Sequence, residues 1–133
     1  MLKYMLDTNI VIYTMKNRPD SVRERFKKHH GRMCISSITF MELVYGAERS
    51  SNPDRNLTSL EGFVAHMDVL PLDDSAAAHA GQIRAELARL GMPIGPYDQL
   101  IAGHARSLGL VLVTNNEKEF ARVPGLRTEN WVL

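Results

Sequence analysis

Apolar positions along this chain fall into short solid blocks separated by longer stretches of three-and-four spacing. Leu2 to Leu6, "MCIS" at 33–36, "DVLPL" at 68–72 and "LVLVT" at 110–114 are compact apolar runs bounded by polar or turn residues. Runs of that length and density predict buried strands, and "LRTENWVL" offers a short last one. Between them, helical spacing takes over. "TNIVIYTMK" follows the first run, and Val22 and Phe26 form an i, i+4 pair beyond a turn at Asn17 to Asp20. A helix from about Ile38 to Glu48 carries a stripe of Ile38, Met41, Val44 and Tyr45. Leu57, Leu60, Val64 and Met67 mark the next helix, after the loop "SSNPDRN". Ala76, Ala80, Ile83, Leu87 and Leu90 mark a longer one, stopped by Gly91 and Pro93. Tyr97, Leu100, Ile101, His104, Ala105 and Leu108 complete the set, ending at Gly109. Strands without polar alternation, alternating with helices, predict an α/β sandwich around a mostly parallel sheet buried on both faces.

Composition narrows the class. A chain of 133 residues, 44% apolar, is sized for a single domain over 1–133 with enough apolar material for a core. Sixteen basic residues against 15 acidic ones remove any global electrostatic pull toward nucleic acid or a membrane surface, so such binding must come from local charge. The lone Cys34, inside an apolar run, reads as a small buried hydrophobe and fits a reducing cytoplasm. Lys3 and Asp7 break the first apolar run too early for a cleavable signal, and no run approaches a membrane span.

A parallel sheet puts all strand C-termini on one edge, and polar side chains from distant segments meet there. Asp7 ends the first run, Glu42 lies early in the helix after the second, Asp98 opens the helix from Pro96, and "TNNEKEF" follows "LVLV". Each acid alone has a simpler role: Asp7 as a helix cap, Thr39-x-x-Glu42 as a capping box, Asp98 as a complement to a helix dipole. Together they would repel. Two carboxylates about 5 Å apart oppose each other by roughly 3 kcal/mol at an effective dielectric near 20. A bound Mg²⁺ or Mn²⁺ is the natural compensation, because hard cations take carboxylate oxygens and retain waters.

The segments "MLDTNI", "SSITFMELVYGAERS", "GPYDQLIAGHA" and "LVTNNEKEFARVPGL", in that order across essentially the whole chain, resemble the PIN-domain ribonucleases of the VapC type, toxins of bacterial VapBC toxin–antitoxin pairs. The resemblance implies a PIN-like three-layer sandwich and an Mg²⁺-dependent endoribonuclease. It implies Asp7, Glu42 and Asp98 as metal-binding catalytic acids. The fourth family position falls on Glu119, one methylene longer than the Asp many relatives carry and so suited to reach the metal through water. Thr8 and Thr114 are expected to orient acids or contact phosphate, Asn9 to donate its amide to Asp7, and Asn115 or Asn116 to neighbour Glu119. Such a site orients a water in line with a phosphodiester and leaves a 5′-phosphate and a 3′-hydroxyl. Implied partners are a homodimer mate, an RNA and a VapB-type antitoxin whose basic side chain enters the acidic pocket. The RNA is expected to be structured, with initiator tRNA cut in its anticodon loop as the leading substrate. The antitoxin groove is expected near the helices bearing Met41, Val44, Tyr45, Leu57, Leu60 and Phe63.

The residues add one basic concentration. Between Lys16 and Arg32 lie seven cations, including Arg23, Arg25, Lys27, Lys28 and Arg32, against Asp20 and Glu24. That excess suits phosphate contacts, or else a solvated helix face. His29 and His30 either stack on bases or form an exposed pair in a turn, while His104, on an apolar stripe, reads as a packed core histidine. His66 and His79 lack zinc-like spacing, which disfavours paired-histidine chemistry. Dehalogenase-type phosphatases need a second Asp where Asn9 stands, and response-regulator receivers need an acidic pair that Met5 and Leu6 do not supply. A non-catalytic RNA- or protein-binding module is the remaining alternative.

Overall fold

A computed structural model describes all of residues 1–133. Five short strands, β1 (Tyr4–Leu6), β2 (Met33–Ser36), β3 (Asp68–Leu70), β4 (Val111–Val113) and β5 (Thr128–Glu129), alternate with seven helices. The helices are α1 (Thr8–Met15), α2 (Asp20–Lys28), α3 (Ser37–Glu48), α4 (Pro53–Val64), α5 (Asp74–Arg89), α6 (Pro96–Ser107) and α7 (Glu117–Phe120). All strand pairs are parallel, in the order β3-β2-β1-β4-β5. The chain winds outward from β1 to β3 and then returns to the other side of β1 as β4. The point where it changes direction, between β1 and β4, is where open parallel sheets leave a crevice at their strand C-termini.

Side chains of the central strands alternate between two separate cores, which makes the three layers. Tyr4, Leu6, Met33 and Ile35 face a core completed by α1, α2, α3 and α4, with Ile10, Val22, Leu43 and Leu60. Met5, Cys34 and Leu112 face a second core under α5 and α6, with Ile83, Leu87, Ile101 and Phe120. The α5–α6 crossing is close. A Cβ on Gly103 would lie 2.5 Å from the Ala80 backbone nitrogen, so only glycine allows this approach.

Two expectations need correction. First, the inward face of α3 is Thr39, Leu43 and Ala47, not the stripe of Met41 and Tyr45, which stand 38% and 60% exposed. The helix is apolar on nearly every side, so spacing could not choose a face, and small Thr39 and Ala47 allow the tighter approach. Second, β3 is an edge strand with Asp68 and Val69 exposed, rather than a strand buried on both faces. The expected short last strand is present as Thr128–Glu129, and the chain beyond it folds back to bury Trp131 edge-on against Tyr4, with ring centroids 5.2 Å apart.

Candidate active site

Asp7 follows β1 directly, and its backbone N–H donates to the Val113 carbonyl at 3.0 Å, so the β1–β4 ladder carries it into the crevice. Its carboxylate is buried. Oδ1 caps α1 by accepting from the Ile10 N–H at 3.0 Å. Capping and a place in the pocket are therefore not alternatives for Asp7. Burial pushes its pKa up, the Glu42 charge pushes the same way, and the Thr114 hydroxyl and the Ile10 and Asn9 backbone N–H groups pull it down.

Glu42 is not a cap. Ser36 caps α3, accepting from the Ile38 N–H at 3.1 Å, so the Thr39-x-x-Glu42 capping box is not formed. Glu42 lies in the second turn instead, and its Oε1 accepts from the Thr8 hydroxyl at 2.7 Å across from α1. Asp98 is the third residue of α6, behind Pro96. Its pKa is pushed up to about 6, first by burial and then by the charges of Glu42, Asp7 and Glu119. Those three charges come from α3, the end of β1 and α7. Asp98 thus registers all the other acids at once, so the four carboxylates share one crevice. They do not close into a ready-made cage, since no three Asp, Glu, His or Cys side chains come together tightly enough to enclose an ion.

Most of the expected neighbours sit where they can orient acids. Thr8 holds Glu42 and Thr114 holds Asp7. Asn116 donates from Nδ2 to Glu119 Oε2 at 2.9 Å, and its backbone N–H donates to Thr114 Oγ1. Asn115 does not join them, because its Oδ1 accepts from Asn130 at 3.1 Å. Asn9 is a correction: its side chain is exposed, and the group that serves Asp7 is its backbone N–H.

The basic run divides. Arg23, Arg25, Lys27 and Lys28 lie on exposed faces of α2, where only Arg25 finds an acid, Glu129, at 3.9 Å. Arg32 sits apart: its carbonyl accepts from the Lys3 and Tyr4 N–H groups at the start of β1. That places it a strand length from Asp7, about 10 Å at 3.3 Å per residue. His29 neither stacks on a free base nor stands exposed, since its ring lies 4.5 Å from Tyr4 and is stacked on Trp131 at 5.2 Å. His104 is buried as expected, with Nδ1 2.8 Å from Ser36 Oγ, a partner that spacing alone had not marked. A groove of about 520 Å³ between α1, α3 and α4 runs up to Glu42, floored by Ile12, Met15, Leu43 and Leu60, with Lys16 and Arg55 at its sides. Met41 and Tyr45 do not line it.

A family model described as "PIN domain" matches residues 4–126. The tRNA(fMet)-specific endonuclease VapC of Shigella flexneri is 67% identical over 131 residues, covering 98% of this chain and 99% of the relative. Ribonuclease VapC2 of Haemophilus influenzae is 55% identical over 132 residues, covering 99% and 100%. Among solved structures, a chain of the DNA-bound VapBC complex of Salmonella typhimurium superposes with a TM-score of 0.94 at 63% identity, covering 98% of this chain and 99% of that one. A VapBC-1 structure from nontypeable Haemophilus influenzae gives 0.90 at 39% identity, covering 99% and 100%. With this sheet order, this acidic crevice and these relatives, the chain belongs to the PIN-domain family, among its VapC ribonucleases.

Proposed function

We propose that this chain, as one PIN domain, is the toxin of a VapBC-type pair and an Mg²⁺-dependent endoribonuclease that cuts tRNA, with initiator tRNA as its substrate. The single observation that carries the reading is the convergence of acids from separate segments on the β1–β4 strand ends: Asp7 beside Val113, Glu42 tied to Thr8, and Glu119 tied through Asn116 to Thr114, with Asp98 raised to a pKa of about 6 by burial and by their charges. The relatives named as tRNA(fMet)-specific endonucleases, from Shigella flexneri and Salmonella typhimurium, supply the substrate.

The donor set suits a hard divalent cation. All four groups are carboxylates, the ligand type that hard divalent cations take, and Thr39, one turn before Glu42, has a buried hydroxyl with no hydrogen-bond partner. Mg²⁺ usually takes one or two carboxylates and keeps several waters, which needs no closed cage of acids. Asp7 and Asp98 would hold the ion, with Glu42 and Glu119 toward its waters. Bound there, Mg²⁺, or Mn²⁺ in its place, would supply Lewis-acid activation of water and of the phosphodiester.

The protein's own groups do the positioning. The Ile10 N–H holds Asp7 Oδ1, and the Thr114 hydroxyl favours the charged form of that carboxylate. Thr8 and Asn116 each occupy one oxygen of Glu42 and Glu119, leaving Glu42 Oε2 and Glu119 Oε1 to accept hydrogens from an attacking water. Thr8 and Asn116 therefore orient the two carboxylates. Cations on α2, chiefly Arg23, Lys27 and Lys28, would steer the RNA backbone, with strength that falls as salt rises.

The α1–α3–α4 groove is where the antitoxin's C-terminal segment would lie, with an Arg or Lys reaching Glu42 to offset the repulsion that the cation otherwise offsets. A homodimer in the cytoplasm completes the proposal. No helix is long and apolar enough to cross a membrane. The test is to incubate the purified protein with initiator and elongator tRNAs, with Mg²⁺ and with a chelator, and to map fragment ends. Cleavage confined to initiator tRNA, dependent on the cation and leaving 5′-phosphates, is expected. Equal cutting in the chelator would remove the metal from the proposal, and uncut initiator tRNA would remove the substrate.

A further inference from the structure

Two residue pairs between the β2–α3 segment and α6 lie the same distance apart on both. Glu42 stands six residues beyond Ser36, and His104 stands six residues beyond Asp98. Ser36 meets His104, while Asp98 feels the Glu42 charge more than that of any other acid. The earlier residue of one segment pairs with the later residue of the other, a hydrogen-bonded rung at Ser36–His104 and a charge-coupled one at Asp98–Glu42, about 9 Å apart at 1.5 Å per residue. One rung is the catalytic pair; the other is buried and has no part in the proposed chemistry.

The Ser36–His104 rung is the sole side-chain hydrogen bond between the β2–α3 segment and α6. Thr39, midway between the rungs, is fully buried and makes none. α6 is gripped mainly from the α5 side, where Gly103 meets the Ala80 backbone, and touches α3 over a short stretch. Both rung residues are held from behind. Ser36 ends β2, is 0% exposed and already accepts from the Ile38 N–H, so its single hydrogen is free to donate to Nδ1 of a neutral imidazole. The His104 ring is 2% exposed, and burial lowers its pKa, which keeps it neutral.

We propose that the Ser36–His104 hydrogen bond sets the axial register of α6 against α3 and so the separation of Asp98 and Glu42, which makes His104 a positioning residue for the nuclease site. The inference rests on the proposed metal-dependent function. A slip of one residue would move Asp98 by about 1.5 Å along Glu42's helix, enough to spoil a shared hydration shell.

The experiment compares His104→Leu, His104→Asn and Ser36→Ala with the wild type by tRNA cleavage, Mn²⁺ calorimetry and thermal melting. His104→Leu keeps the bulk and removes the acceptor. It is expected to lower kcat and Mn²⁺ affinity about 10- to 100-fold, the usual scale for residues that orient metal ligands, with KM for tRNA within about twofold because RNA-binding surfaces are untouched. His104→Asn, whose amide oxygen can stand near Nδ1, is expected to recover most of both. Wild-type kcat and Mn²⁺ affinity in folded His104→Leu would overturn the proposal, as would equal losses in the Leu and Asn variants. If His104→Leu does not fold, Ser36→Ala decides by the same two readouts. If the wild type itself binds no Mn²⁺ and cuts no tRNA, the proposed function fails first. Register is then read from a crystal structure of Ser36→Ala: a shift of α6 along α3 by about one residue rise supports the inference, and superposition of the two helices on the wild type overturns it.

Discussion

The acidic crevice and the basic surface of α2 carry opposite charge, and they are built in opposite ways. Four acids in the crevice come from the end of β1, α3, α6 and α7, and three of them, Asp7, Glu42 and Glu119, accept from a named side-chain donor. On α2 the cations come from one continuous segment, and only Arg25 has an acid within reach. The crevice is preorganised and strained by its own repulsion. The α2 surface is solvated and screened by salt, and its charges contribute little to folding. Geometry-dependent chemistry belongs to the first region; attraction for a polyanion, which needs charge more than position, belongs to the second.

The sharpest test of that contrast is charge removal in the crevice. Asp7→Asn or Asp98→Asn nearly preserves shape, so circular dichroism should be unchanged while cleavage falls on the order of a thousandfold or more, the scale for losing one essential charge-stabilising group. Full cleavage by either purified variant would end the assignment. The second test reaches the crevice from behind. Gly103→Ala forces a methyl against the Ala80 backbone and should cost about 1–3 kcal/mol by thermal or denaturant melting. It should also lower Mn²⁺ affinity, because α6 must shift and carries Asp98. A neutral substitution on α2 has no comparable route to the acids.

The third test is on α2 itself. Arg23→Gln, Lys27→Gln and Lys28→Gln combined should weaken tRNA binding about tenfold at low salt and reduce the slope of log affinity against log salt by up to about 3. Cleavage at saturating tRNA should be unchanged. An unaltered salt slope would return α2 to a merely solvated face.

The smallest effect is on stability. Asp98 has a folded-state pKa of about 6 against an ordinary value of 3.8, so the folded protein binds this proton more tightly than the unfolded chain. Its contribution is full below about pH 4 and is lost as pH rises through about 6. Asp7, also raised, acts in the same direction. Metal-free protein should therefore melt lower at pH 8 than at pH 5, and Asp98→Asn should melt a few degrees higher than wild type at pH 8 while flattening that dependence. The variant that abolishes activity would then be the more stable one. Added Mg²⁺ should raise the wild-type melting temperature and leave Asp98→Asn nearly unmoved.

Legibility followed the number of chain segments that each feature needed. The first apolar run, the long helix from Asp74 and the Val22–Phe26 pair could be read directly, because a strand or an amphipathic helix is a local pattern. The inward face of α3 could not, since its apolar residues surround the axis and the choice of Thr39, Leu43 and Ala47 was made by the sheet and α4. His29 looked available for RNA until Trp131, a hundred residues on, closed over it. Asn9 and Asn115 have the right chemistry at the right places in the chain, yet their amides face elsewhere.

By itself, the amino-acid order determined the alternation of strand and helix, the parallel sheet, and the identity of the acids at the strand ends. These depend on local spacing and on the rule that parallel strands finish on one edge. Only the tertiary structure decided which donors meet Asp7, Glu42 and Glu119, which amide turns away, and that Ser36 answers His104. Those outcomes depend on distances between side chains from separate segments, where a displacement of 1–2 Å makes or breaks a hydrogen bond, and no periodicity along one segment encodes the position of another.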